Sequence, residues 1–324
     1  MIDLIGVPFD LCGRRAGSRL GPAALRLAEL GPTLQGLGFP VSDLGDVAAI
    51  VEETDPKGLK GFSSAHTTYV NLRETVRATL KRGRTPMVLG GDHSLAIGSI
   101  AGAIGVFGAD VAVLWIDAHV DLNSPRTSSS GNLHGMPVAA LMGMDSGTEG
   151  IIDDQWRLLI EEVVPRPHLV GRRFGWIGLR DADEGERRAI DGLPASFATT
   201  MQDIDRFGIE RLVEGFDRWM RESGASRLWI SFDVDVLDPI LAPGTGTAVR
   251  GGLSYREAHL LAEVMRQKLD TRDCPYTLVG LDLVETNPLY DTHNETARMA
   301  VEWIASLFGK TILGGPSRFG DRWS

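Results

Sequence analysis

Residues 111–121 read VAVLWIDAHVD. The run Val111–Ile116 is apolar at every position, which marks a strand covered on both faces rather than one with a wet side. Such strands belong to parallel sheets, whose crossover connections lay helices over both faces. Directly behind the run, Asp117, His119 and Asp121 alternate, so an extended chain places all three on one side. Carboxylates this close repel each other unless a cation or a proton lies between them.

The same apolar signature recurs at Ile2–Pro8, Met87–Leu89, Phe174–Leu179, Leu228–Phe232 and Tyr276–Val284. Helical patterns separate the runs. Ser254-Tyr-Arg-Glu257 is a capping box that opens a helix to about Leu269. Ala300, Ile304, Leu307 and Phe308 form an apolar stripe that Gly309 ends. Strand–helix alternation without a Pro/Gly/Ser-rich linker predicts a single-domain doubly wound parallel sheet with helices on both faces. The expected catalytic domain is 1–313. The polar, glycine-bearing tail 314–324 is expected to be loose or to pack on a neighbouring subunit.

The chain has 324 residues, 43% of them apolar and 23% charged, enough for a large core. A formal net charge of −10 argues against nucleic acid and against anionic membranes as partners. No apolar run is expected to reach the length of a membrane span. MIDLIGVPFD at the start lacks the basic region of a signal peptide. Cys12 and Cys274 are too few and too far apart for a metal knuckle or a disulfide framework, and are expected to be inert. A cytoplasmic enzyme acting on a small molecule is the expectation.

Four runs end in groups that can do chemistry. Met87–Leu89 leads into Gly90-Gly91-Asp92-His93, Val111–Ile116 into Asp117, His119 and Asp121, Leu228–Phe232 into Asp233 and Asp235, and Tyr276–Val284 into Glu285. Open parallel sheets bind ligands outside the carboxyl ends of their strands, so these groups should converge. Alone, a histidine at a strand end is commonly a satisfied polar group, and a D-x-D is commonly a loop or cap acid. Metal-type clusters at three strand ends together favour ligation. Oxygen ligands in the majority suit Mn²⁺ better than a thiolate-preferring metal. The set is too large for one ion with an open position, and fits two, with Asp117 and Asp233 shared. Paired ions can acidify water to hydroxide at neutral pH.

GGDHS (90–94), DAHVD (117–121) and SFDVDVLDP (231–239) resemble the three signature motifs of the ureohydrolases, the arginase and agmatinase family. The likeness runs from GVPFD near the start to VETNP and SLFG near the end, and is most like a bacterial-type arginase. It implies an arginase-like fold, two Mn²⁺ per subunit and hydrolysis of a guanidinium to urea and an amine. His93, Asp117, Asp121 and Asp233 then match ligands of one ion, and His119, Asp117, Asp233 and Asp235 those of the other. Glu285 matches the carboxylate that holds the guanidinium, and a carboxylate is the natural planar partner of that cation. Asp121 also accepts a hydrogen bond in the reaction. His134 matches a proton-shuttling histidine, which a poor amine leaving group requires.

The loop SPRTSSSGNLHG resembles the arginase segment that binds an α-carboxylate, through Asn123, Ser128, Ser130 and Asn132. Asp183 and, more weakly, Glu186 match contacts to an α-amino group, and Thr247 is assigned to the substrate side. The resemblance favours L-arginine as substrate and a homo-oligomer, trimer or hexamer. The alternatives are an agmatinase, a guanidinobutyrase or a similar guanidino-acid hydrolase. Two departures weigh towards them. Val236 stands where arginases usually have glycine, and Arg126 puts a charge of unassigned direction into the specificity loop. One-metal deacetylases of related architecture have a smaller ligand set, and a metal-binding subunit without turnover would have no use for the full one.

Overall fold

The computed structural model describes residues 1–49 and 57–311. Among these, eight strands form one sheet: β1 (Ile2–Gly6), β2 (Val41–Asp46), β3 (Thr85–Leu89), β4 (Val111–Ile116), β5 (Phe174–Leu179), β6 (Phe197–Thr200), β7 (Arg227–Asp233) and β8 (Thr277–Val284). Their spatial order is β2-β1-β3-β8-β7-β4-β5-β6, and every pairing is parallel. The tail 314–324 lies outside the described residues.

The six expected strands are present, β4 and β5 to the residue. β1 stops at Gly6 rather than Pro8, and β3 starts two residues earlier than expected, with Pro86 near its beginning, where a parallel strand tolerates proline. β2 and β6 were not expected. Both are edge strands, β2 largely exposed and β6 alternating between half-buried and exposed. An edge strand carries no continuous apolar run because only part of it meets the core.

Alternation inside the apolar runs divides two cores. Ala112, Leu114 and Ile116 of β4 face the helices Gly21–Leu27, Leu30–Gly36, Met201–Ser223, Tyr255–Leu269 and Glu295–Leu307. Val111, Val113 and Trp115 face Phe62–Lys81, Ala96–Phe107, Pro137–Leu141 and Ile151–Val163. Helices on both faces of a parallel sheet are the doubly wound arrangement. The Ser254–Glu257 capping box forms as read, at the start of Tyr255–Leu269. Ala300, Ile304 and Leu307 are buried on the last helix, beyond which Gly309 takes φ 96°.

One expectation fails in detail. The stretch His93–Asp110 is long and apolar enough to cross a membrane by length and composition. Its helical part is the core helix Ala96–Phe107, buried from Ala96 to Ile104 and packed on Phe62–Lys81.

One row across the sheet prepares the site. Val88, Asp282, Ser231, Trp115 and Trp176 are register partners on β3, β8, β7, β4 and β5. Parallel partners face the same way, so Ser231 and Asp282 form a polar pair inside an otherwise apolar row. Trp229 on the same face donates Nε1–H to Asp282 Oδ2 at 2.9 Å.

The departure at Val236 has a packing counterpart. Val236 is fully buried, and Gly178 of β5 sits against it with φ 99°. A Cβ on Gly178 would lie 2.4 Å from Val236 Cγ2. Gly178→Ala is therefore expected to lose roughly 2–4 kcal/mol, combining overpacking with a left-handed alanine. Adding Val236→Ala should restore the overpacking part. Urea unfolding midpoints of the two variants check this, and a single variant as stable as the parent refutes it.

Candidate metal centre and active site

The four chemistry-bearing strand ends are neighbours, because β3, β8, β7 and β4 are consecutive in the sheet. After β3, the Gly90 amide donates to Leu283 O at 2.6 Å and the Asp92 amide to Phe9 O at 2.9 Å. Gly91 has no alternative: a Cβ there would sit 1.6 Å from Phe9 O. Asp92 caps the following turn by accepting from the Ser94 amide at 3.1 Å and also accepts from Cys12 N at 2.9 Å. That turn delivers His93, stacked on Trp115 with ring centroids 4.0 Å apart.

His93 Nδ1 lies 3.0 Å from Asp117 Oδ2, 3.2 Å from Asp121 Oδ2 and 3.2 Å from Asp233 Oδ2. Its Nε2 is 2.8 Å from Ser231 Oγ, which in turn reaches Asp282 Oδ2 at 3.4 Å. An ionised carboxylate only accepts, so Ser231 points its proton at Asp282 and accepts from His93 Nε2–H. Nδ1 is then a bare lone pair, buried and without a hydrogen-bond partner. A lone pair facing three carboxylates is an arrangement that calls for a cation.

The second cluster repeats the scheme. His119 Nδ1 lies 3.3 Å from Asp117 Oδ1 and 3.1 Å from Asp235 Oδ2, with Nε2 3.8 Å from Asp181 Oδ2. Two sets of ligating atoms result, His93–Asp117–Asp233 and Asp117–His119–Asp235, each within 4.8 Å. Asp117 belongs to both, one oxygen to each. Asp233 belongs to the first, and its Oδ1 accepts from the Asp235 amide at 2.7 Å. Likewise Asp117 Oδ1 accepts from the His119 amide at 2.7 Å. The spacing of two thus fixes each carboxylate through an Asx-type turn. Asp235 also accepts from Ala118 N at 3.2 Å and Thr247 Oγ1 at 2.7 Å, tying the clusters together.

Burial, then repulsion from Asp235 and Asp117, pushes the Asp233 carboxyl well up. Burial and Asp117 raise Asp121 and Asp235 as well. Burial alone would lower His93 and His119, yet the surrounding carboxylates raise both. Each shift reports a shortage of positive charge, which divalent ions at these two sets would relieve.

Beside the clusters, Glu285 Oε1 accepts from the His93 amide at 3.0 Å and lies 3.1 Å from His134 Nδ1. Glu285 and Asp121 both hold left-handed backbone, at φ 61° and 54°. Such conformations cost about 1–3 kcal/mol and gather at functional sites. Burial opposes protonation of His134, but Glu285 raises its pKa overall.

Asn123 donates Nδ2 to Asp183 Oδ2 at 2.8 Å, leaving its Oδ1 buried and unpaired. One of its two Nδ2 donors thus goes to Asp183. Asp183 and Glu186 form a capping box on Glu184–Asp191, and burial with the charge of Asp121 lifts Glu186 to about 7. Ser128 and Ser130 hold the exposed loop through the Gly131 and Asn132 amides, at 3.0 and 3.3 Å. The stem of Arg126 lies over Gly147, which gives its side chain a direction.

The sequence reading missed the supporting residues Ser231, Asp282, Asp92 and Arg180. Arg180 spends its guanidinium on carbonyls, including those of Val236 and Val249 at 3.1 and 2.8 Å. Asp282 had a signal: it is the one charge inside the apolar run Tyr276–Val284.

A doubly wound sheet that buries carboxylates and imidazoles at the ends of four central strands defines a metal-dependent α/β hydrolase. The model of the Arginase family matches residues 1–309, and the chain belongs to that family, whose members hydrolyse guanidino C–N bonds. It is 39% identical to an arginase of Staphylococcus aureus (strain MRSA252), over 96% of this chain and 98% of the relative. It is 37% identical to the arginase of Bacillus subtilis (strain 168), over 96% and 99%. A crystal structure of Bacillus subtilis arginase superposes with a TM-score of 0.84, at 36% identity, covering 96% of this chain and 99% of the other.

Ser231→Ala removes the acceptor that fixes the His93 tautomer. Divalent metal affinity, read by competition with a chromogenic chelator, is expected to fall about 10–100-fold. Unchanged affinity would show that His93 needs no such orientation.

Proposed function

We propose that the protein hydrolyses L-arginine to L-ornithine and urea with two Mn²⁺ per subunit. The observation that carries this reading is the polarity of the cleft beside the clusters. Asp183, Glu186 and the unpaired Asn123 Oδ1 offer only acceptors, as an α-ammonium requires. Ser128, Ser130 and Asn132 of the neighbouring loop bring the short polar groups that an α-carboxylate requires. Agmatine keeps an ammonium at that carbon but lacks the carboxylate, so the carboxylate side of the site is what separates the two substrates.

His93, Asp117, Asp121 and Asp233 would hold one ion, and His119, Asp117, Asp233 and Asp235 the other. When bound, such a pair supplies Lewis acidity that makes water nucleophilic at neutral pH. Glu285 pairs with the guanidinium and orients its carbon. Asp121 accepts a hydrogen bond from the attacking water's proton. His134, held 3.1 Å from Glu285, delivers a proton to the nitrogen that leaves as the ornithine side-chain amine. Thr247 keeps Asp235 in place through its 2.7 Å hydrogen bond. Water adds its oxygen to the guanidinium carbon, the C–N bond to the side chain breaks, and urea departs. A cytoplasmic location and a homo-oligomer, trimeric or hexameric, complete the proposal; the acidic chain and the free thiols Cys12 and Cys274 suit the former.

Two measurements test it. kcat/KM for L-arginine should exceed that for agmatine at least tenfold, since each hydrogen bond to a charged group contributes roughly 1.5–3 kcal/mol. Equal or higher values with agmatine would overturn the substrate and leave the guanidino hydrolase standing. His134→Asn should lower kcat about 100-fold or more while metal content holds. An unchanged pH–rate profile in that variant removes the proton-transfer role.

A further inference from the structure

Lys60 comes from a segment with no place in the chemistry described above, yet its ammonium reaches the substrate loop. Nζ donates to Asn132 Oδ1 at 3.1 Å and to Gly13 O at 2.9 Å. The neighbouring chain is stitched to the same place: the His134 amide donates to Cys12 O at 3.3 Å, and the Cys12 thiol lies 3.3 Å from Lys60 O. Three stretches remote in sequence therefore meet around the Asn132 side chain.

An ammonium has three donors and no acceptor, so it can engage only the oxygen of a carboxamide. Lys60 thereby decides which way the Asn132 amide is turned. With Oδ1 taken, the two N–H donors of Nδ2 face away from Lys60. They meet no protein acceptor among the described residues, although Asn132 is only 7% exposed. A largely buried amide with unspent donors is matched by an anionic acceptor on a ligand. The amide also lies between that ligand position and a positive charge, which polarises its N–H groups. The other loop groups, Ser128 and Ser130, are neutral hydroxyls whose oxygens each accept from a loop amide. Arg126 is turned over Gly147.

We propose that Lys60 is a specificity-determining positioning residue: it locks Asn132 with its donors towards the substrate and supplies the positive charge behind the carboxylate end of the cleft. The inference rests on the α-amino-acid reading of the substrate and explains how a loop of neutral donors selects an anion. Without this lock the amide is free to flip and present Oδ1 to the carboxylate, which repels it.

Lys60→Met and Lys60→Arg in the full, Mn²⁺-loaded enzyme provide the test. For Lys60→Met, KM for L-arginine is expected to rise on the order of tenfold with little change in kcat. Agmatine, which lacks the carboxylate, should keep its KM. Lys60→Arg, which retains charge and donors, should recover most of the arginine KM. Titration with L-ornithine and putrescine reads the same contrast without turnover: the variant should weaken ornithine and leave putrescine unchanged. A parallel loss with both ligands means that Lys60 merely braces the Gly13 segment, and overturns the proposal. So does an unchanged arginine KM in Lys60→Met. Failure of the substrate reading itself is visible separately, in a wild-type enzyme that does not prefer L-arginine to agmatine; the carboxylate role of Lys60 then falls with it.

Discussion

Four carboxylates, those of Asp117, Asp121, Asp233 and Asp235, are buried against two imidazoles at one edge of the sheet. Buried charges of one sign cannot be left unpaired, since desolvation and mutual repulsion both act against them. In its neutral form His93 adds a lone pair to this crowding, because Ser231 and Asp282 hold its proton on the far nitrogen. Divalent cations would satisfy these groups together. The surrounding architecture can be understood as what is needed to hold the acids that close and that dry.

A parallel sheet suits this task for a geometric reason. All strands end on the same side, so residues far apart in the chain are delivered to one edge at the strand spacing of about 4.8 Å. Here β3, β8, β7 and β4 are adjacent, which sets His93, Glu285, Asp233 and Asp117 in a short arc. The Asx turns at Asp117 and Asp233 then stiffen the two most crowded ligands through backbone amides. Below them, the row Asp282–Ser231–Trp115 carries polar support into a layer otherwise filled by tryptophan and aliphatic side chains. Stability and function share that row: Trp115 packs the core, stacks on His93 and donates Nε1–H to Asp117 Oδ2 at 2.9 Å.

Local conformations that are unfavourable alone occur at the same edge. Asp121 and Glu285 are left-handed without being glycine, and Gly91 lies against Phe9 O too closely for any Cβ. The large two-sided core holds these segments in place, so their cost is borne by packing elsewhere. His134 and Glu285 stand 3.1 Å apart: Glu285 directly follows β8, and His134 sits in the short turn Leu133–Gly135, tied to Cys12 O through its amide.

The fold class was legible in the sequence because burial on both faces leaves a continuous apolar signature, and the central strands have it. The candidate ligands stood out because aspartate and histidine at alternate positions directly after such runs have few other uses, and two sets of them are brought together in the structure. The edge strands β2 and β6 were not, since a half-exposed strand carries no distinctive composition. Nor were the groups that act through others. Ser231 and Asp282 gain their role only as register partners, Arg180 only because the carbonyls of Val236 and Val249 surround it, and Lys60 only because the chain brings it to Asn132. The direction of the Asn123 amide likewise follows from Asp183, sixty residues on. Residue type and spacing determined what this chain can ligate. Which proton, amide or charge stands behind each ligand was decided by tertiary contacts, because hydrogen-bond direction depends on partners that no local stretch of sequence contains.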